Sequence, residues 1–220
     1  MIRLIPERHD ESPLTILCFG AHSDDIEIGC GGTLLQLISR NNRLKIVWVV
    51  LSAQAERSNE AQKSAEIFVA GSDANVIIRN YRDGYLPYCG SRIKEIFEEL
   101  NSMFCPDLIF THWQGDAHQD HRFVSELTWN TFRDHLILEY EIPKYDGDMG
   151  RPNIYVSLDK HIYQKKVDSL CDVFQTQQSK SWFDRQTFLS LMKLRGVESR
   201  SPSGYAEGFY ARKAILGTVA

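Results

Sequence analysis

The sequence predicts an α/β fold: a Rossmann-like, doubly wound, mostly parallel sheet with helices on both faces, three layers in the order α/β/α. Three observations carry this. Short apolar runs alternate with stretches of helical periodicity, strand then helix, four times over. The second run, Leu44 to Leu51, is rich in β-branched residues and almost wholly apolar, as a strand covered on both faces is. Two polar clusters directly follow the first and fourth runs. In a sheet ordered 3-2-1-4-5 those strands are neighbours, and ligands collect outside their carboxyl ends where the winding reverses.

Residues 1–13 are polar and proline-punctuated and read as an arm or leading loop. Strand one is about Thr15–Phe19. Gly29, Gly31 and Gly32 open a helix that runs through Ile38 and stops at Asn41-Asn42. Strand two is Leu44–Leu51. From Arg57 to Ala70, Ala61, Ala65, Phe68 and Val69 recur at helical spacing opposite Glu60, Gln62 and Lys63, and Gly71 ends the helix. Strand three is Asn75–Ile78, followed by a loop at Arg82–Pro87. Ile93, Ile96, Phe97, Leu100, Met103 and Phe104 form the apolar stripe of a third helix. Strand four is Leu108–Phe110, and a helix from near Asp120 carries Phe123, Val124 and Leu127 inward.

The last third is less regular. His135–Tyr140 and Asn153–Val156 read as strands, separated by a turn-rich loop at 143–152. Lys165–Phe174 and Phe188–Leu194 read as helices. Gly204–Phe209 reads as a loop returning towards the site. No repeat, low-complexity tract or linker interrupts residues 1–220, which are expected to form a single domain.

Composition narrows the function. Hydrophobic residues make up 43% and charged residues 25%, as in ordinary globular proteins. A net charge of −4 leaves no basic footprint for nucleic acid. No apolar run approaches a membrane span, and the N-terminus lacks a signal-peptide segment. Five scattered cysteines, with no Cys-x-x-Cys, fit reduced thiols and a cytoplasmic location. Of these, Cys18 and Cys105 are expected to pack as small apolar residues.

The first cluster is His22-Ser23-Asp24-Asp25-Ile26-Glu27; the second is His112-Trp113-Gln114-Gly115-Asp116-Ala117-His118-Gln119-Asp120-His121. An imidazole and two carboxylates at a strand tip are costly unless a cation sits among them. A catalytic zinc takes three protein ligands and keeps one position open. His22, Asp25 and His121 supply two imidazoles and a carboxylate, and a water on such an ion falls to a pKa near ~7. Asp24 stands beside the ligand Asp25 as a general base. His118 is placed to face a developing oxyanion. Asp120 is placed to accept a hydrogen bond from an imidazole and set its tautomer.

Each piece alone is weak: Asp24-Asp25 could be a helix N-cap pair, and His118-x-Asp-His is a moderate metal signal. Together, at two strand ends, they point to a site. Cys30 is assigned to packing at the helix start, and His112 is set aside as a neighbour of Trp113. His9, His135 and His161 receive no role. The glycines do not make a dinucleotide fingerprint, since Leu34 stands where the third is needed. No phosphate-binding Gly-x-x-x-x-Gly-Lys and no Gly-x-Ser-x-Gly elbow occurs.

These two motifs resemble the signatures of the LmbE-like, or PIG-L, zinc-dependent N-deacetylases. The likeness extends to Arg57-x-x-Glu60, Asp83-Gly84, Glu141-Ile142-Pro143 and Tyr205–Phe209. The resemblance implies removal of an acetyl group from an N-acetylglucosamine unit of some conjugate. It implies one zinc per chain held by His22, Asp25 and His121, with Asp24 as base and His118 stabilising the tetrahedral intermediate. It places Arg57 and Asp83 among substrate-binding positions, and some relatives are homo-oligomers. Ser23 stands where the family usually has proline. Trp113, Tyr145, Tyr205 and Arg151 are candidates for sugar contacts. Two other readings stay open: a two-metal phosphoesterase-like hydrolase, and a zinc-stabilised binding module without catalysis.

Overall fold

The computed structural model describes residues 12–40 and 43–215. Seven strands form one sheet in the order β3-β2-β1-β4-β5-β7-β6. They are β1 (Leu14–His22), β2 (Leu44–Ser52), β3 (Asp73–Ile78), β4 (Leu108–His112), β5 (Leu136–Tyr140), β6 (Ile154–Ser157) and β7 (Ala206–Tyr210). The first five neighbours reproduce the expected 3-2-1-4-5 order and pair in parallel. β7 runs antiparallel to both β5 and β6 and closes that edge.

Among the described residues six helices cover the sheet: α1 (Asp25–Arg40), α2 (Glu56–Phe68), α3 (Gly90–Met103), α4 (Gln119–Thr131), α5 (Lys160–Val173) and α6 (Arg185–Ser199). Alternation along the strands assigns the layers. Ile16 and Cys18 of β1, with Trp48 and Phe110, pack beneath α1, α2, α5 and α6. Leu17 and Phe19, with Val47, Val49 and Ile109, pack beneath α3 and α4. Both faces of the central strands are therefore apolar, which is why those segments read as unbroken hydrophobic runs.

Several boundaries move. α1 begins at Asp25, four residues before the glycines expected to open it, so both clustered carboxylates stand at or beside its first turn. Gly29 instead admits a neighbour: a Cβ there would lie 2.1 Å from Cδ2 of Tyr140. Residues 206–210, expected as a loop, form β7, because Glu207 and its neighbours pair with strands on both sides. α5 and α6 are longer than their apolar stripes suggested. Cys18 is fully buried as expected, but Cys105 is exposed in the link between α3 and β4. The Asn41-Asn42 stop and nearly all of the expected leading arm lie outside the described residues.

Candidate metal centre

β1 and β4 pair directly, from Ile16↔Leu108 to Cys18↔Phe110. Their carboxyl ends therefore deliver the two polar clusters to one place. His22 ends β1, Asp25 starts α1, His112 ends β4, and His121 lies in the first turn of α4. All four are at least nine-tenths buried. Nδ1 of His22 lies 3.1 Å from Nε2 of His121. Asp25 closes the triangle: Oδ2 is 3.3 Å from His22 Nδ1, and Oδ1 is 3.5 Å from His121 Nε2. The His22 backbone N–H donates to Asp25 Oδ2 at 2.6 Å, fixing the carboxylate.

The outward nitrogens face carboxylates. His121 Nδ1 lies 2.9 Å from Asp116 Oδ2. His22 Nε2 lies 3.2 Å from Asp120 Oδ2 and 3.0 Å from Asp83 Oδ1. With both outward nitrogens donating, two lone pairs and a carboxylate converge on one point. Such a convergence is unfavourable without a positive charge there. Donor atoms about 2.0–2.1 Å from a tetrahedral ion lie about 3.3–3.4 Å apart, close to the 3.1 Å between the two imidazole nitrogens; Asp25 meets the two rings through different oxygens, Oδ2 beside His22 and Oδ1 beside His121. The donor set and its spacing thus fit a divalent ion.

The electrostatics agree. Burial tends to lower the pKa of His22, but Asp25, Asp120 and Asp83 outweigh it and raise it well above the usual value: a proton there meets the demand for positive charge. Burial raises Asp25, yet His121, His112 and His22 bring it well below the ordinary carboxylate range. Burial and neighbouring His112 push His121 down to about 3.

Asp24 is buried beside these groups and differs from Asp25. Burial, then the charge of Asp25, raises it to about 6, against the pull of Arg57, His22 and Lys180. His118 is the N-cap of α4, and its Nδ1 accepts the Asp120 N–H at 3.2 Å. Nδ1 is then the acceptor nitrogen, so in the neutral ring Nε2 carries the proton. Burial and His22 lower its pKa, which keeps the ring neutral.

The PIG-L model, described as GlcNAc-PI de-N-acetylase, matches residues 17–132 and so spans both clusters. The chain belongs to the PIG-L family. Solved structures share the fold at low identity. The conserved protein TT1542 from Thermus thermophilus is 18% identical, with a TM-score of 0.71 over 93% of this chain and 97% of its own. N,N'-diacetylchitobiose deacetylase from Pyrococcus horikoshii is 19% identical, with a TM-score of 0.67 over 90% and 83%. GalB, a 4-carboxy-2-hydroxymuconate hydratase from Pseudomonas putida, is 16% identical, with a TM-score of 0.72 over 94% and 99%. A fold that serves both a deacetylase and a hydratase leaves function to be argued from the site.

In this PIG-L chain the remaining predicted residues also converge. Arg57 Nη1 reaches Asp83 Oδ2 at 2.6 Å, Nη2 lies 3.8 Å from Asp24, and Nε donates to Ser23 Oγ at 3.1 Å. The serine in place of proline thus provides an acceptor for the guanidinium. Asp120 serves His22 rather than its own neighbours in sequence. Its two oxygens also accept the N–H groups of Gly84, at 2.7 Å, and Leu86, at 3.1 Å, clamping the loop that carries Asp83.

Two residues escaped the sequence reading. His112, set aside there, is fully buried; its ring stacks on His121 at 4.0 Å and its Nε2 is 3.2 Å from Asp25. Asp116 supports His121 and is itself 3.0 Å from Lys144 Nζ. The position of His112 at a strand tip was the available signal; the Asp116 contact depends on the loop's path. Of the proposed sugar contacts, Trp113 stacks on Tyr210 and Tyr205 on Tyr163, whereas Tyr145 is exposed. Cys30 is buried in the core, as assigned.

Proposed function

We propose that the chain is a metal-dependent hydrolase that removes an acetyl group from the nitrogen of an N-acetylglucosamine-type conjugate. His22, Asp25 and His121 would hold a single divalent ion, zinc foremost. When bound, that ion supplies Lewis acidity at the point where the three donors meet. The approach of His22 Nδ1 to His121 Nε2, with Asp25 beside both, is the observation that carries this reading.

The chain's own groups then divide the work. Asp24, raised to about 6 by burial and by Asp25, suits a base that takes a proton from the attacking water near neutrality. His118, neutral and with its proton on Nε2, donates to the amide oxygen as negative charge develops there. The proton returns to the leaving nitrogen from Asp24 or His118, giving free amine and acetate. Asp120 holds His22 in its tautomer and keeps Asp83 in place. Arg57, largely buried, and Asp83, about half exposed, bind sugar hydroxyls.

The deacetylase among the fold neighbours supports this chemistry without naming the substrate of this chain. The test is acetate release from a panel of N-acetylated amino sugars: free, nucleotide-linked and lipid-linked. Chelator-sensitive release from at least one is expected. Release from none, with metal bound, would set the reading aside.

A further inference from the structure

Behind His121, two loops are locked to each other. Residues 113–118 link β4 to α4 and carry Asp116 and His118; residues 141–153 link β5 to β6. Lys144, on the second loop, joins them. Its ammonium lies 3.0 Å from Asp116 Oδ2 and also bonds Asp148 Oδ2. Asp148 in turn accepts the Ala117 N–H at 2.6 Å. The loops meet a second time at Trp113, where a Cβ on Gly115 or on Gly150 would run into the indole.

The joint lies inside the protein: the side chains of Lys144 and Asp116 are 8% and 2% exposed. A lysine stem loses much rotamer freedom on burial, and a charge at that depth is costly without partners. The partners here face the ligand. Asp116 Oδ1 accepts the His118 N–H at 2.7 Å. Its Oδ2 lies between His121 Nδ1, at 2.9 Å, and Lys144 Nζ, at 3.0 Å. A carboxylate behind an imidazole orients the ring only as firmly as it is itself held. Lys144 holds that oxygen from the side away from the ring. The other ring nitrogen, Nε2, is the one that meets His22 and Asp25. One line of contacts therefore runs from Asp148 through Lys144 and Asp116 to His121.

We propose that Lys144 is a positioning residue: acting through Asp116, it sets the His121 ring for the ion and makes the 143–150 loop part of the metal centre. This rests on the metal-dependent reading given above, but its consequence can be read without turnover.

Zinc affinity is measured by competition with a chromophoric chelator, and acetate release separately. Lys144→Met should weaken zinc binding by about 10–100-fold. Lys144→Arg, which keeps the charge, should retain most of the affinity. The visible spectrum of the cobalt-loaded chain should shift in Lys144→Met and not in Lys144→Arg. The deciding comparison starts from Asp116→Asn, which removes the group that Lys144 acts through. Adding Lys144→Met to it should lower zinc affinity little further. That double variant leaves neither charge of the pair buried alone, so it serves even where Lys144→Met by itself fails to fold. Native zinc affinity in Lys144→Met, or losses that add in full in the double variant, overturns the role. A native chain that binds no zinc removes the metal centre and the role with it. Zinc binding that depends on Lys144 in a chain that releases no acetate would keep the role and lose the deacetylase.

Discussion

The parallel centre of the sheet and its antiparallel edge are held by different forces. In the centre, Leu17, Val47, Ile109 and Phe110 are fully buried apolar side chains. At the edge, carboxylates sit inside the protein, each against a cation: Glu141 with Arg195, Glu139 with Arg212, and Glu207 with Lys166. His22, Asp25 and His121 crown the apolar centre, and the edge reaches α1, the helix that Asp25 starts. Glu207 accepts the N–H groups of Gly32, at 2.8 Å, and Thr33, at 2.7 Å, while Lys166 donates to the Ile28 carbonyl at 2.6 Å. A Cβ on Gly32 would meet Glu207 Oε1 at 2.7 Å. Side chains from far along the sequence thus complete the backbone bonding of α1 about one to two turns beyond Asp25. The difference teaches that the centre carries the candidate site and the edge sets the seat of the helix that presents Asp25.

That division can be broken from either side. The largest effect is expected at the tip of the centre. Asp24→Asn should lower turnover by roughly 10²–10⁴-fold while metal content and thermal midpoint stay near those of the native chain. Next comes the edge. Lys166→Met leaves Glu207 buried without its cation and should cost about 3–5 kcal/mol, read from the denaturant midpoint. A matching loss of metal affinity would show that the buttress reaches Asp25; unchanged stability would show that it does not exist. Gly29→Ala, driving a methyl into Tyr140, should cost about 1–3 kcal/mol by the same measurement. The smallest effect is at Ser23. Its replacement by alanine removes one acceptor from Arg57, worth about 1 kcal/mol. It should appear as a rise in KM with kcat and metal content little changed, and Ser23→Thr should restore it.

The same contrast explains what the sequence disclosed. β1, β2 and β4 were legible because they are buried on both faces and read as apolar runs, and the strand order followed from their alternation with helices. His22, Asp25 and His121 were legible because metal-ligand residue types stood at two strand ends. β7 was not: Ala206-Glu207-Gly208 carries a charge made tolerable inside by groups distant in sequence, Lys166, forty-one residues earlier, and the N–H groups of Gly32 and Thr33. His112 was missed because its environment comes from a ring stack with His121 across two elements. Asp120 was expected to accept from an imidazole; the ring beside it, that of His22, lies ninety-eight residues away.

The most direct test is a metal titration of the chelator-stripped chain, with acetate release followed at each addition. The three converging donors predict no release from the stripped chain, and a rise that saturates at one divalent ion per chain. Release by the stripped chain, or saturation only at two ions, would contradict the account.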